Sequence, residues 1–283
     1  MEPQSVIEGG NGVLSLLDRL YGLLWRQLEK RAVFFSGKTR DLQEDLFFSQ
    51  YWESISSDVG SAHTSYPNGI HPGNMVAAEE IARSLVSIFT RWNLKSFRKI
   101  RVPNQDNNLI LIGGPVSTLL TRMAMGYDIH DLNKEPTTAL KYIFNLNVRK
   151  QDICRMVVNG VELEEPTYPI IDRDTGKSYG PICDDDGYLV EDFLLINVIP
   201  NPFTEQRKVI VSISGCHDIG TRAFALVLRD RGILEEIKNR RDSSTTRSFQ
   251  SLIHISKLAK KEKYFKPLKV RHIDTIPLET KGY

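Results

Sequence analysis

Charge of one sign is scarce in this chain. Its 37 lysines and arginines nearly balance 35 aspartates and glutamates, leaving +2 at pH 7. Whole-molecule electrostatics therefore give no reason to expect nucleic acid or an anionic membrane as a partner. Cysteine is scarce too. Cys154, Cys183 and Cys216 are widely scattered, and no two have the spacing of a metal knuckle or a thioredoxin motif. Reduced thiols in a cytoplasmic protein are the expectation. A long apolar run is also missing. The most apolar window near the start, Val13 to Trp25, falls short of the roughly 20 residues a span needs, and Asp18 and Arg19 interrupt it. No basic region and apolar core follow Met1, so no secretory signal is expected. A soluble chain without a membrane partner is predicted.

What is present is ordinary for a globular protein. The 283 residues are 41% apolar and 25% charged, enough for a sizeable core. Residues 1–31 read as a loose leader and an amphipathic helix from Val13 to Arg31. Leu16, Leu17, Leu20, Leu23, Leu24 and Leu28 form its stripe. That stripe packs on the domain or meets a partner protein or a second protomer. Residues 32–283 read as a single α/β domain. Ala32 to Phe35 suggests a first strand, with Gly37 opening the turn. The aromatic segment Phe47 to Tyr66 is core or lid. Asn74 can cap a helix with Glu79 and Glu80 in its early turns, and Arg98 to Val102 reads as a strand.

The middle of the chain, about 140–200, reads as an antiparallel insertion or sheet extension. Asn159-Gly160 predicts a hairpin joining Cys154–Val158 to Val161–Leu163. Tyr188 to Ile199 is a long β stretch. Asp184, Asp185 and Asp186 lack calcium-loop spacing and read as a solvated turn, so no metal or cofactor is expected. Near the end, Ala223 to Arg229 and Ile233 to Arg240 read as helices. Ser248–Leu258 and Leu268–Ile276 alternate like strands. The lysine-rich run from Lys257 to Lys266 between them reads as a solvated hairpin tip, and nucleic acid is not an expected partner.

Two stretches carry the functional expectation. Asn108 to Ile112 is an apolar run stopped by Gly113-Gly114-Pro115 and followed by Ser117, Thr118, Thr121 and Arg122. Val209 to Ser214 repeats the arrangement, ending in Gly215-Cys216-His217-Asp218-Ile219-Gly220-Thr221-Arg222. A strand, a glycine turn and a helix start present backbone N–H groups that favour an anion. The first stretch is neither a Gly-Lys-Ser/Thr loop nor Gly-x-Gly-x-x-Gly. Parallel strands in one sheet would open both loops on one crevice, where open α/β sheets bind ligands. The expected ligand contacts are Gly113, Gly114, Ser117, Thr118, Gly215, His217, Asp218, Gly220, Thr221 and Arg222. Cys216 beside His217 is a weak nucleophile candidate, because sequence neighbours point apart.

The chain resembles a poorly characterised Rossmann-like family. Its members join a strand ending Gly-Gly-Pro to an Asn-Pro-Phe turn and a Gly-x-x-x-x-Gly-Thr loop. Here these are Gly113-Gly114-Pro115, Asn201-Pro202-Phe203 and Gly215 to Thr221. Such motifs occur in archaeal surface-layer domains and in soluble bacterial domains fused to helix-turn-helix modules. The likeness covers roughly Val33 to Leu278, with Ser117-Thr118 where the family carries an asparagine. The resemblance implies a sensor-like Rossmann domain: a largely parallel central sheet, an antiparallel β extension and the N-terminal helix. The leading expectation is a domain binding a small anionic ligand, possibly a nucleotide, between the two loops. The alternative is a hydrolase cleaving a nucleotide or NAD on the same crevice, with Asp218, His217 and Glu79 as catalytic candidates. The third is a structural or assembly domain.

Overall fold

A computed structural model describes residues 44–47, 93–95, 108–147, 153–158, 161–205, 208–242, 248–261 and 264–278. The helices expected at Val13 and Asn74, the strands at Ala32 and Arg98, the aromatic segment beyond Phe47, and Glu79 lie outside those residues. The strands in chain order are β1 (Glu44–Phe47), β2 (Asn93–Lys95), β3 (Asn108–Ile112), β4 (Tyr142–Phe144), β5 (Ile153–Val158), β6 (Val161–Pro166), β7 (Ile170–Asp172), β8 (Ser178–Tyr179), β9 (Ile182–Cys183), β10 (Leu189–Pro200), β11 (Val209–Gly215), β12 (Phe249–Lys261) and β13 (Tyr264–Pro277). The helices are short: α1 (Leu119–Ala124), α2 (Asp218–Arg222), α3 (Phe224–Val227) and α4 (Arg231–Asp242).

The main sheet runs β13-β12-β10-β11-β3-β1-β2, with β9 also paired to β10. This corrects the expected fold. Strand is 42% and helix 18% of the interpretable region, and the sheet is mixed, not the largely parallel Rossmann-like one. Only β11, β3, β1 and β2 run parallel. β10, β12 and β13 join antiparallel. Connection length is the reason. Residues 201–208 between β10 and β11 are fewer than the dozen or so a parallel crossover takes. Residues 262–263 between β12 and β13 allow only a hairpin.

β3 is buried on both faces, as its unbroken apolar run requires. Ile110 and Ile112 join Val211, Ile213, Ile196 and Ile253 on one face, beneath Phe224, Val227, Ile233 and Ile237 of α3 and α4. Leu109 and Leu111 join Leu195 and Leu252 on the other, beneath Met125, Tyr127, Tyr142 and Ile170. A buried polar chain holds the small β4-β7-β8 sheet on this second face. Asn197 donates to Ser212 Oγ at 2.7 Å and accepts from Gln250 Nε2 at 2.8 Å. Gln250 also bonds both backbone groups of Tyr142. Every member is satisfied, which such a network needs to avoid a net penalty.

The expected hairpin forms as β5–β6, with Val158 opposite Val161. It also corrects the cysteine expectation. Cys154 in β5 and Cys183 in β9 are joined as a disulfide, with Cα atoms 6.3 Å apart and a sequence separation of 29. Closing a loop of that length restricts the unfolded chain by about 3.5 kcal/mol. Replacing both cysteines with serine is therefore expected to lower the denaturant-derived stability by about that amount. An unchanged midpoint would contradict the bridge. Among the described residues, no helix is long and apolar enough to cross a membrane.

Candidate functional site

The two glycine loops are neighbours. β11 and β3 pair in parallel, Ile213 beside Ile112, and the N–H of Gly113 donates to Ile213 O at 3.0 Å. After β3 the chain passes to the face covered by Met125. After β11 it passes to the face covered by Phe224. The two connections diverge outside the carboxyl ends of these strands. That is the topological switch point of an open sheet.

The first loop uses its hydroxyls internally. Thr121 Oγ1 and Ser214 Oγ both donate to Gly113 O at 3.1 Å. Thr118 Oγ1 donates to Ile112 O and Ser117 Oγ to Gly114 O, each at 3.3 Å. Arg122 spans the loop, donating to Pro115 O at 2.7 Å, Val116 O at 3.1 Å and Ile129 O at 3.3 Å. Carbonyls at a buried strand end need donors, and these side chains supply them. Arg122 is buried, which lowers its pKa, and no carboxylate among the described residues forms an ion pair with it. Gly113 has φ of +113°, the left-handed region that glycine adopts freely.

The second loop closes around a carboxylate of its own chain. Thr221 Oγ1 accepts from Gly215 N at 2.9 Å, and Cys216 N donates to Phe193 O at 3.0 Å. Asp192 of β10 is fully buried beneath the loop, and its Oδ1 accepts from Phe193 N at 2.8 Å. The amides of Gly220 and His217 also face this carboxylate, without reaching hydrogen-bond geometry at Oδ2. A Cβ on Gly220 would stand 2.6 Å from Asp192 Oδ2, so glycine permits that approach. Burial pushes the Asp192 carboxyl up to about 7 against the pull of His217 and these amides.

His217 is the other buried titratable group here. Its Nδ1 lies 3.9 Å from Glu165 Oε2 at the end of β6, and its Nε2 has no partner. Burial lowers its pKa, but Glu165, Asp192 and Asp218 together raise it above the ordinary value. Tyr168 links the two loops electrostatically, lying near both Glu165 and Arg122, and its phenol is pushed up chiefly by burial. The segment Glu165 to Tyr168 therefore runs past both loops. Burial raises the Cys216 thiol far above its usual value, so no thiolate is available there near neutral pH.

Of the expected contacts, Gly113, Gly114, Ser117, Thr118, Gly215, His217, Asp218, Gly220, Thr221 and Arg222 all lie at this one sheet edge. Asp192, Glu165 and Tyr168 were not foreseen. Asp192 had a signal, an acid inside the apolar run Tyr188 to Ile199. The sequence also contains Gly37-Lys38-Thr39, with Ala32 five residues before Gly37, close to the pattern of a phosphate-binding loop. That stretch lies outside the described residues. No family model matches the chain, and neither a curated protein nor a solved structure is similar to it.

Proposed function

We propose that this domain binds a small anionic molecule, bearing a phosphate or carboxylate, in the crevice outside β3 and β11. The observation that carries the reading is a pair of buried cationic side chains, one at each loop, where the connections diverge. Arg122 on one side is answered only by carbonyls. His217 on the other is held toward its protonated form, with Nε2 buried and unpartnered. For Arg122 a buried charge without a counter-charge is costly, and an anionic ligand would relieve that cost; at His217, whose Nδ1 faces Glu165, a ligand would give the unpartnered Nε2 an acceptor. The carboxylate beneath the second loop has a raised pKa, so it opposes such a ligand less than an ionised one would.

The test is thermal melting with inorganic phosphate, AMP, ATP and NAD, in the parent protein and in His217→Gln. A ligand at 100 times its Kd adds about 2.7 kcal/mol, which raises the midpoint by several degrees. The expected result is a shift with at least one compound that His217→Gln abolishes while remaining folded. No shift with any of them would return both loops to the role of tight structural turns, which their inward hydrogen bonds also suit. The bridge between Cys154 and Cys183 stands against the expected cytoplasmic placement, since thiol pools there keep such pairs reduced.

A further inference from the structure

β12 and β13 continue past the strand that β12 shares with the rest of the sheet. β10 pairs with β12 only from Val198 opposite Phe249 to Asp192 opposite Ile255. Beyond Ile255 the two strands pair with each other as far as Lys261 opposite Tyr264. Among the described residues, no third strand pairs with this part. It is a two-stranded antiparallel ribbon.

The ribbon is charged unlike the molecule that carries it. In 256–261 and 264–269 stand Lys257, Lys260, Lys261, Lys266 and Lys269, and no acidic residue. The whole chain is only +2, so the remainder is net negative by three. The acids of the β5–β6 hairpin are engaged elsewhere, Glu164 with Arg155 and Glu162 with Tyr188. The cations lie on both strands, with Lys257 opposite Lys269 and Lys266 opposite Ala259. Tyr264 and Phe265 occupy the tip positions of β13.

We propose that this ribbon docks on duplex DNA, entering the major groove and neutralising the phosphates on both sides. That groove admits a two-stranded β-ribbon. A ribbon with cations on both of its strands suits a groove walled by phosphate on two sides. The near-neutral total that argued against nucleic acid averages a basic ribbon with an acidic body, so it does not report on the local field.

The experiment is fluorescence anisotropy of a labelled random-sequence duplex across a salt titration, using the full chain. Lys257→Gln/Lys260→Gln/Lys261→Gln is run beside it, and the unchanged melting midpoint of that variant certifies its fold. Five neutralised phosphates predict a slope of log affinity against log salt of about −4.5. The triple variant should flatten that slope by about 3. No duplex binding, or binding with the same slope in the variant, would overturn the proposal. So would binding confined to phosphatidylserine vesicles or to single-stranded RNA.

Discussion

Gly215→Ala is expected to destabilise the domain by more than about 4 kcal/mol, while Gly114→Ala changes stability by less than about 1 kcal/mol. The two glycines look alike in sequence, each at the end of a buried parallel strand. Space separates them. A Cβ on Gly215 would stand 2.2 Å from His217 O, 2.4 Å from Thr221 N and 2.6 Å from the Gly220 Cα. All three are backbone atoms of one tight loop, so nothing can swing aside. A Cβ on Gly114 meets nothing nearer than Gly215 O at 3.9 Å. Its φ is not in the left-handed region, so alanine fits without strain. Urea unfolding of the two variants checks the contrast. Equal losses, or a tolerated Gly215→Ala, would mean that the second loop is not closed as described. Gly114→Ala then serves a second purpose. A variant that folds normally yet loses the phosphate-dependent thermal shift would place the ligand against the first loop's backbone.

How much of this was legible in the residues differs by element. β3 and β11 announce themselves, because four or more consecutive apolar residues before a glycine have few other structural meanings. Their adjacency was an inference from sheet architecture, and the register of Ile213 beside Ile112 realises it. Strand direction was misread. Alternation and hydrophobicity do not encode direction, but connection length does, and 201–208 is too short to carry β10 back for a parallel partner. The hydroxyls of Ser117 and Thr118 were read as ligand contacts, with Thr121 beside them in the same stretch. They face the carbonyls of Ile112, Gly113 and Gly114, since a buried strand end has its own unmet acceptors. Cys154 and Cys183 gave no local signal. Their pairing depends on β5 crossing close to β9, a long-range event. Glu165 and Tyr168 were invisible for the same reason: the β5–β6 hairpin carries them to His217 and Arg122.

Asp192 and His217 make the domain's stability fall as pH rises through neutrality. Both have folded-state pKa values above their unfolded ones, so the folded state binds more protons than the unfolded state in this range. The slope of stability against pH is then negative. For Asp192 the contribution is complete below the ordinary carboxylate value of 3.8 and is lost as pH rises through about 7. A displacement of that size corresponds to about 4 kcal/mol at most, since one pKa unit is about 1.4 kcal/mol. The groups facing the pair are Glu165, Asp218 and the buried Cys216, and the carboxylates among them favour a charged His217. His272 works in the opposite sense, because burial lowers its pKa despite Glu236 at 2.9 Å. Its contribution is present above the ordinary histidine value and is lost as pH falls. Comparing the parent with Asp192→Asn at each pH cancels that term. Asparagine keeps the acceptor toward Phe193 N–H and carries no charge to desolvate. The parent should therefore lose stability relative to Asp192→Asn from pH 5 to pH 7 by roughly 1 kcal/mol per unit, and the difference should level off above pH 7. Parallel curves would show that Asp192 is ionised in the folded protein throughout. The carboxylate beneath the second loop would then repel the anionic ligand, and the crevice would have to be read without one.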